Sequence, residues 1–488
     1  MGRANPSSAP FTIVCCSTST DQLVKRFSTF RPTSFRVWSA SALVMILLAT
    51  TIATADPLPQ ATPAEGSSDA VIELSAVAQL GRKMFFDPSL SSSGKMSCAT
   101  CHSPDAAYAP PNDLAVQFGG ADMKHQGFRA VPSLRYLEHT PNFSIGPNPE
   151  MADNDPVPLD TSAPAMPASG VKVASVAKAT ADAAARAAAE ANVPQGGLDH
   201  DGRADTFQTQ ALGPLLDPNE MDNHSVDELL ERLKHAAYAD DLKKLFGANI
   251  FKQPALALDE AMFALSRFQT EDPSFHPYDS KYDAYLAGKA ELSPVEQRGL
   301  RLFEDPLKGN CLSCHLDRIS RDGLYQPAFT DYQFEALAVP RNRDLPVNND
   351  PSFYDLGLCG PMRKDYANAA AYCGLFKTPT LRNVATRKVF FHNGVFHSLD
   401  QVMHFYVERE TDPAKWYPKL PSGEIDRYDD LPQQYRGNVD LIDAPYDRKH
   451  GEAPALTDSE IADIIAFLGT LTDGYRPDGH GTTAPSSR

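Results

Sequence analysis

Two pentads, Cys98-Ala99-Thr100-Cys101-His102 and Cys311-Leu312-Ser313-Cys314-His315, each place two thiols three residues apart with an imidazole beside the second. This spacing lets both thiols form thioether bonds to the vinyl groups of one haem while the histidine binds its iron. Four thiolates from two CxxC pairs could instead fill a structural zinc site. The histidine after each pair argues for haem, as does an N-terminus of export type, since unprotected thiols oxidise outside the cytoplasm. The sequence therefore predicts two covalently bound haem c groups, attached through Cys98, Cys101, Cys311 and Cys314, with His102 and His315 on the irons.

A flat apolar macrocycle has to be enclosed by helices, and the chain supplies one before and one after each pentad. Ile72, Leu74, Val77, Leu80 and Met84 recur at helical spacing into Gly81-Arg82-Lys83-Met84-Phe85-Phe86-Asp87-Pro88. The phrase returns as Gly299-Leu300-Arg301-Leu302-Phe303-Glu304-Asp305-Pro306, on a helix opened by the capping box Ser293-Pro294-Val295-Glu296. Val131-Pro132-Ser133-Leu134-Arg135 answers Thr378-Pro379-Thr380-Leu381-Arg382, and His200-Asp201-Gly202-Arg203 answers His392-Asn393-Gly394-Val395. Closing amphipathic helices carry Leu258, Met262, Leu265 and Phe268, then Ile461, Ile464, Ile465 and Leu468 after the box Thr457 to Glu460. The expected fold is mainly α, with two tandem cytochrome c-type haem domains related by internal duplication, residues 72–278 and 279–475. Two stretches break the symmetry. Residues 146–197 are rich in Pro, Ala and Asp and end in an alanine-dense run, read as a surface insertion, either lid or linker. Residues 316–376 form a long loop region.

The 488 residues, 42% hydrophobic, suffice for two cores. The apolar run from Ser39 to Ala55, after Lys25, Arg26, Arg31 and Arg36 and closed by Ala53-Thr54-Ala55, reads as a secretory signal spanning 1–55. An uncleaved anchor is the alternative. Either way the haem domains would lie outside the cytoplasmic membrane, in the periplasm, with no membrane insertion once the signal is cleaved. A linker (56–71) and a disordered tail (476–488) complete the expected layout. Setting aside the haem cysteines and the leader leaves Cys359 and Cys373, which exported proteins usually join; two free thiols are the alternative. A formal charge of −17 excludes general nucleic-acid binding and could steer a basic redox partner.

With the two haem motifs, the stretch LGRKMFFDP (80–88), DGRADT (201–206), GPLLDPNEM (213–221) and FKTPTLRNV (376–384), the chain resembles the bacterial di-haem cytochrome c peroxidase family, which includes the MauG-like enzymes. The resemblance covers residues 72–475 apart from the insertion. It implies an N-terminal haem where hydrogen peroxide reacts and a C-terminal haem that stores or relays electrons. It also implies that Glu220 is the distal acid/base, moving a proton from one peroxide oxygen to the other, and that Gln210 donates a hydrogen bond to bound peroxide. Counting from His392, the family position that carries methionine in the peroxidases is Tyr406, similar to the tyrosine of MauG-like enzymes. A phenolate ligand there would lower the potential of the C-terminal haem and favour oxidation beyond ferric iron. Met403 and His404 are rival ligands.

The departures matter as much. The Gly-His-Gly context that carries a distal histidine in the peroxidases reads Phe118-Gly119-Gly120, and the nearest histidine is His125. The N-terminal iron is therefore expected to be open without prior reduction, with His125 as a sliding sixth ligand in the alternative. The family's inter-haem tryptophan is replaced by His200, and the only tryptophan outside the leader is Trp416. An asparagine of the family's calcium site is Ala130 here, which makes calcium doubtful; Arg387 is expected to replace the cation by charge-assisted hydrogen bonds between the same loops. The function expected is peroxide reduction with electrons from a small cytochrome c or cupredoxin. The alternatives are MauG-like oxidation of residues in a partner protein and a non-catalytic di-haem electron carrier.

Overall fold

Helix α1 (Ala76–Phe85) begins where the Ser75 hydroxyl accepts a hydrogen bond from the Ala78 amide, and it buries Ala78, Leu80, Met84 and Phe85. A computed structural model describes residues 73–147, 192–317, 319 and 325–477 of the chain. The expected signal, the linker, most of the insertion with its alanine run, and the tail beyond 477 lie outside the described residues.

Downstream of α1 come α2 (Cys98–Cys101), α3 (Phe207–Leu216), α4 (Val226–His235), α5 (Ala239–Phe246) and α6 (Pro254–Glu271), then α7 (Lys281–Leu286), α8 (Pro294–Glu304), α9 (Leu399–Glu408), α10 (Pro413–Trp416) and α11 (Asp458–Gly469). Three two-stranded antiparallel ribbons accompany them: β1 (Phe118–Gly119) with β2 (His125–Gln126), β3 (Ser144–Pro147) with β4 (Asn192–Gln195), and β5 (Phe334–Glu335) with β6 (Phe376–Lys377). The fold is mainly α. Among the described residues no helix is long and apolar enough to cross a membrane.

Two helix pairs frame the two haem motifs. In the first, α1 lies on α6 so closely that a Cβ at Gly81 would come within 1.8 Å of the Ala264 carbonyl oxygen. In the second, α8 lies on α11, and a Cβ at Gly299 would come within 2.0 Å of the Asp463 oxygen. At both crossings the backbones touch, which no residue larger than glycine permits. The expected capping boxes at Ser293 with Glu296 and Thr457 with Glu460 open α8 and α11. Beneath each pair sits an aromatic cluster: Phe85 meets Phe268 edge-on at 5.4 Å, and Phe303 meets Phe467 edge-on at 5.3 Å.

The insertion leaves and returns side by side, because β3 and β4 pair from Ser144 with Gln195 to Pro147 with Asn192. The described part of the 316–376 region is mostly irregular and is pinned by a Cys359–Cys373 disulfide across a sequence separation of 14. From this loop Arg363 donates to the Asp201 and Gly202 carbonyls at 2.9 and 3.0 Å, while Asp355 accepts two hydrogen bonds from Arg129 at 2.7 and 2.8 Å. The loop thus fastens the second half of the chain to the 199–203 segment of the first. Replacing both cysteines by serine should cost about 2–3 kcal/mol, the loop-closure entropy returned to the unfolded chain. A denaturation midpoint equal to that of the parent protein would show that the ion pairs hold the loop unaided.

Candidate active site and haem cavities

Ser97 precedes α2, and its amide donates to the Thr100 hydroxyl at 2.9 Å, curling the first pentad into one helical turn. Cys98, Cys101 and His102 then face a cavity of about 210 Å³ whose apolar wall includes Phe85, Met96, Val116, Leu134 and Leu265. His102 Nδ1 lies 3.1 Å from the Tyr108 carbonyl oxygen. As the donor in that contact it leaves Nε2 as the lone-pair nitrogen, the form an iron ligand needs. The second pentad repeats the arrangement. Cys311, Cys314 and His315 face a cavity of about 310 Å³, with Phe303, Leu399, Ile464 and Leu468 in its wall, and His315 Nδ1 lies 2.9 Å from the Phe329 oxygen. Each cavity offers two unpaired thiols, one oriented imidazole and an apolar lining, so each fits one haem c. The cysteine pairs belong to different cavities, which removes the single zinc site left open by the sequence.

Glu220 stands in the first cavity with Gln210, Asn219 and Asp217. It follows the end of α3 by a short turn in which its amide donates to the Asp217 oxygen at 3.0 Å. β1 backs this turn: the Gly120 amide donates to the Glu220 oxygen at 2.8 Å, and a Cβ at Gly119 would fall 2.2 Å from the Asn219 oxygen. The Phe118-Gly119-Gly120 stretch therefore sets the position of the carboxylate's backbone. Glu220 is open to water on its cavity side yet enclosed by the surrounding fold. That burial, followed by the charges of Asp217 and Asp199, pushes its carboxyl up to about 7 against a smaller opposing pull from Arg203. Gln210 Nε2 donates to Asp199 at 3.2 Å, which fixes the amide and leaves one of its N–H groups for another acceptor. Asp199 pairs in turn with Arg203 at 3.2 Å. His125 is exposed and does not line the cavity; its Nδ1 approaches the Pro218 oxygen at 3.3 Å.

In the second half of the chain, α9 turns Val402, Met403, Tyr406 and Val407 toward the second cavity. His404 points elsewhere, to Glu408 at 3.2 Å and Asp400 at 3.7 Å, so its rivalry as a ligand ends; Met403 and Tyr406 remain. Burial holds the Tyr406 phenol above its ordinary range. Tyr446 also lines this cavity, its ring 5.6 Å from that of Tyr406.

His200 lines both cavities. Its Nε2 approaches the Ala130 oxygen at 2.8 Å, and burial lowers its pKa to about 4, so the ring is neutral. Arg387 Nη2 donates to the Val131 oxygen at 3.0 Å, joining the two loops anticipated for it. Several neighbours of the site were not singled out from the sequence. Arg203 lies within a motif but was given no role, Asp199 lies just before the repeated stretch, and Met362 enters the first cavity from the distant disulfide loop. The dense charge of Asp199-His200-Asp201-Gly202-Arg203 was the available signal for the first two; Met362 had none.

Two cavities, each with a CxxC pair and an oriented histidine, in a mainly α frame, define a di-haem c-type oxidoreductase. The family model described as "Di-haem cytochrome c peroxidase" matches residues 75–291. The chain is 36% identical to the diheme peroxidase BthA from Burkholderia thailandensis E264, with a TM-score of 0.67 over 83% of this chain and 88% of that one. It is 29% identical over 434 residues to the methylamine utilization protein MauG of Paracoccus denitrificans, covering 86% of this chain and 95% of the relative. The cytochrome c551 peroxidase of Nitrosomonas europaea is 25% identical over 74% of this chain and 82% of its own. The chain belongs to the di-haem cytochrome c peroxidase family, whose members are peroxidases carrying two covalently bound haems.

Proposed function

We propose that this protein reduces hydrogen peroxide at the N-terminal haem site with electrons relayed through the C-terminal one. The observation that carries this reading is a carboxyl, Glu220, in the same cavity as Cys98, Cys101 and His102 and poised near neutrality. The bound haems supply O–O bond cleavage and electron storage. The remaining tasks fall to side chains. Glu220, ionised, takes the proton from the peroxide oxygen nearer the iron position and returns it to the far oxygen, which leaves as water. Asp199 orients Gln210, whose second N–H can hold the peroxide. His125, kept outside on Pro218, leaves this site open. Neutral His200, common to both cavities, lies on the path between them. In the second cavity His315 and Tyr406 would hold the iron.

The matched helix crossings at Gly81 and Gly299, the matched histidine–carbonyl contacts and the matched aromatic clusters support two haem domains, 72–278 and 279–475, descended from one duplicated unit. Export to the periplasm, implied by the N-terminal signal, suits the attachment of c-type haem and a small cytochrome or cupredoxin as electron donor. Tyr406 favours a second reading, oxidation of residues in a partner protein, as the likeness to MauG suggests.

Exchanging Tyr406 for methionine should raise the potential of the C-terminal haem, because a thioether stabilises reduced iron and a phenolate oxidised iron. A potentiometric titration showing no rise would point to Met403 as the ligand already in place. The function is tested by adding a slight excess of peroxide to the fully oxidised protein and recording visible and near-infrared spectra within seconds. A prompt change supports an open first site. Reaction only after one electron equivalent would put His125 back on the iron, and no reaction in either state would leave an electron carrier.

A further inference from the structure

Among the described residues, most arginines that are buried or half-buried against the core face a carboxylate. Arg129 pairs with Asp201 and Asp355, Arg382 with Asp283, Arg409 with Glu410 and Arg341 with Asp430. Arg387 does not. Its guanidinium makes one hydrogen bond among the described residues, the 3.0 Å contact with the Val131 oxygen, and no described carboxylate pairs with it. It lines the larger cavity, the one that holds His315, and its charge also reaches His102 in the smaller one. Lys377, the neighbouring half-buried cation, is different: its ammonium donates to the Gly197 oxygen and has Asp199 and Asp201 close by.

A half-buried guanidinium with one carbonyl for company is disfavoured relative to one that an anion joins. Burial alone lowers the pKa of Arg387 to about 10, the mark of a cation without a counter-charge. The group that enters this cavity is itself a dianion, since haem carries two propionate carboxylates. Its apolar ring and its thioether sites are accounted for by the wall and by Cys311 and Cys314; its carboxylates are not.

We propose that Arg387 is the docking site for a propionate of the haem in the larger cavity, so that the cofactor's own charge supplies the missing counter-ion and ties Val131 to the second half of the chain. A carboxylate held by a fork of N–H donors fixes the haem's rotation in its slot as well as its depth. The inference rests on two haems being bound and is independent of the role given to Glu220.

Spectroelectrochemical titration of the purified holoprotein tests it. Arg387→Gln removes a positive charge beside the haem, so its reduction should become about tenfold less favourable, a shift of about 59 mV to lower potential for one electron. Arg387→Lys keeps the charge and should stay near the parent value. Unshifted potentials in Arg387→Gln with full haem content would overturn the proposal. So would equal shifts in both variants, which would assign the effect to the Val131 contact alone, or one equivalent of calcium in the parent protein. Should the glutamine variant fail to mature, resonance Raman spectra of Arg387→Lys decide the matter: propionate bending modes displaced from those of the parent are expected, and superimposable modes would overturn it.

Discussion

Replacing Glu220 by glutamine is expected to lower peroxide turnover about 10²- to 10⁴-fold with both haems still attached, the range that a positioned acid/base contributes. The amide keeps the size of the carboxyl, and the turn that carries it is held by backbone contacts to Asp217 and Gly120, so the cavity should keep its shape. Only the proton transfer is lost. The same carboxyl sets a pH signature. Burial first, then Asp217 and Asp199, pushes it up to about 7, and it acts as the initial base in its ionised form. The rate of reaction with peroxide should therefore rise with pH through about 7 and level off above it, and the glutamine variant should lose that step. Stopped-flow rates across this window check both statements. Turnover preserved in the variant would remove Glu220 from the mechanism.

Asp283→Asn should destabilise the protein by about 3–5 kcal/mol, the cost of stranding one member of a buried ion pair. The Arg382 guanidinium is fully buried and meets Asp283 through two parallel hydrogen bonds of 2.8 and 2.9 Å. It is also stacked over Tyr136 and Tyr278, with ring centres 4.7 and 4.6 Å away, so it has no route to water. Burial works to raise the Asp283 pKa, but the hydrogen bonds and charge of Arg382 outweigh it and hold the carboxyl below its usual range. A depressed carboxylate contributes stability above its unfolded pKa of about 3.9 and loses it as pH falls toward the folded value. The parent protein should accordingly weaken below about pH 4, and the asparagine variant should show less of that acid dependence. Denaturant titrations at neutral and acid pH measure both. A loss under about 1 kcal/mol would mean that water reaches the pair.

Features local in sequence were legible before any coordinates. The pentads, the capping boxes at Ser293 and Thr457 and the helix periodicities all lie within one or two turns of chain, where spacing alone constrains geometry. The joined pair Cys359 and Cys373 followed from counting thiols. What escaped depends on contacts across long separations. Gln210 meets Asp199 because residue 199 adopts a left-handed backbone conformation that turns its carboxylate toward α3, and no periodicity announces that. Gly119 reads as a plain glycine until the Asn219 carbonyl is found where a side chain would stand. Met403, His404 and Tyr406 fall within one helical turn, so only the packing of α9 separated His404 from the other two. The ribbon of β3 and β4 shows where the insertion departs and rejoins, which composition had only bracketed.

The backbone contact of Gly81 with Ala264 has a consequence for biosynthesis. The smaller cavity takes part of its wall from α6, so it is enclosed only when a segment more than 150 residues beyond Cys101 has docked. Until then the first pentad is an open, accessible strip of chain. Haem attachment at Cys98 and Cys101 thus has its natural moment before folding is complete, ahead of the docking of α6, and the closing helix then seals in a cofactor already bonded to the chain. The Gly299 contact with Asp463 imposes the same order on the second haem, whose lid, α11, is also the last helix of the described chain.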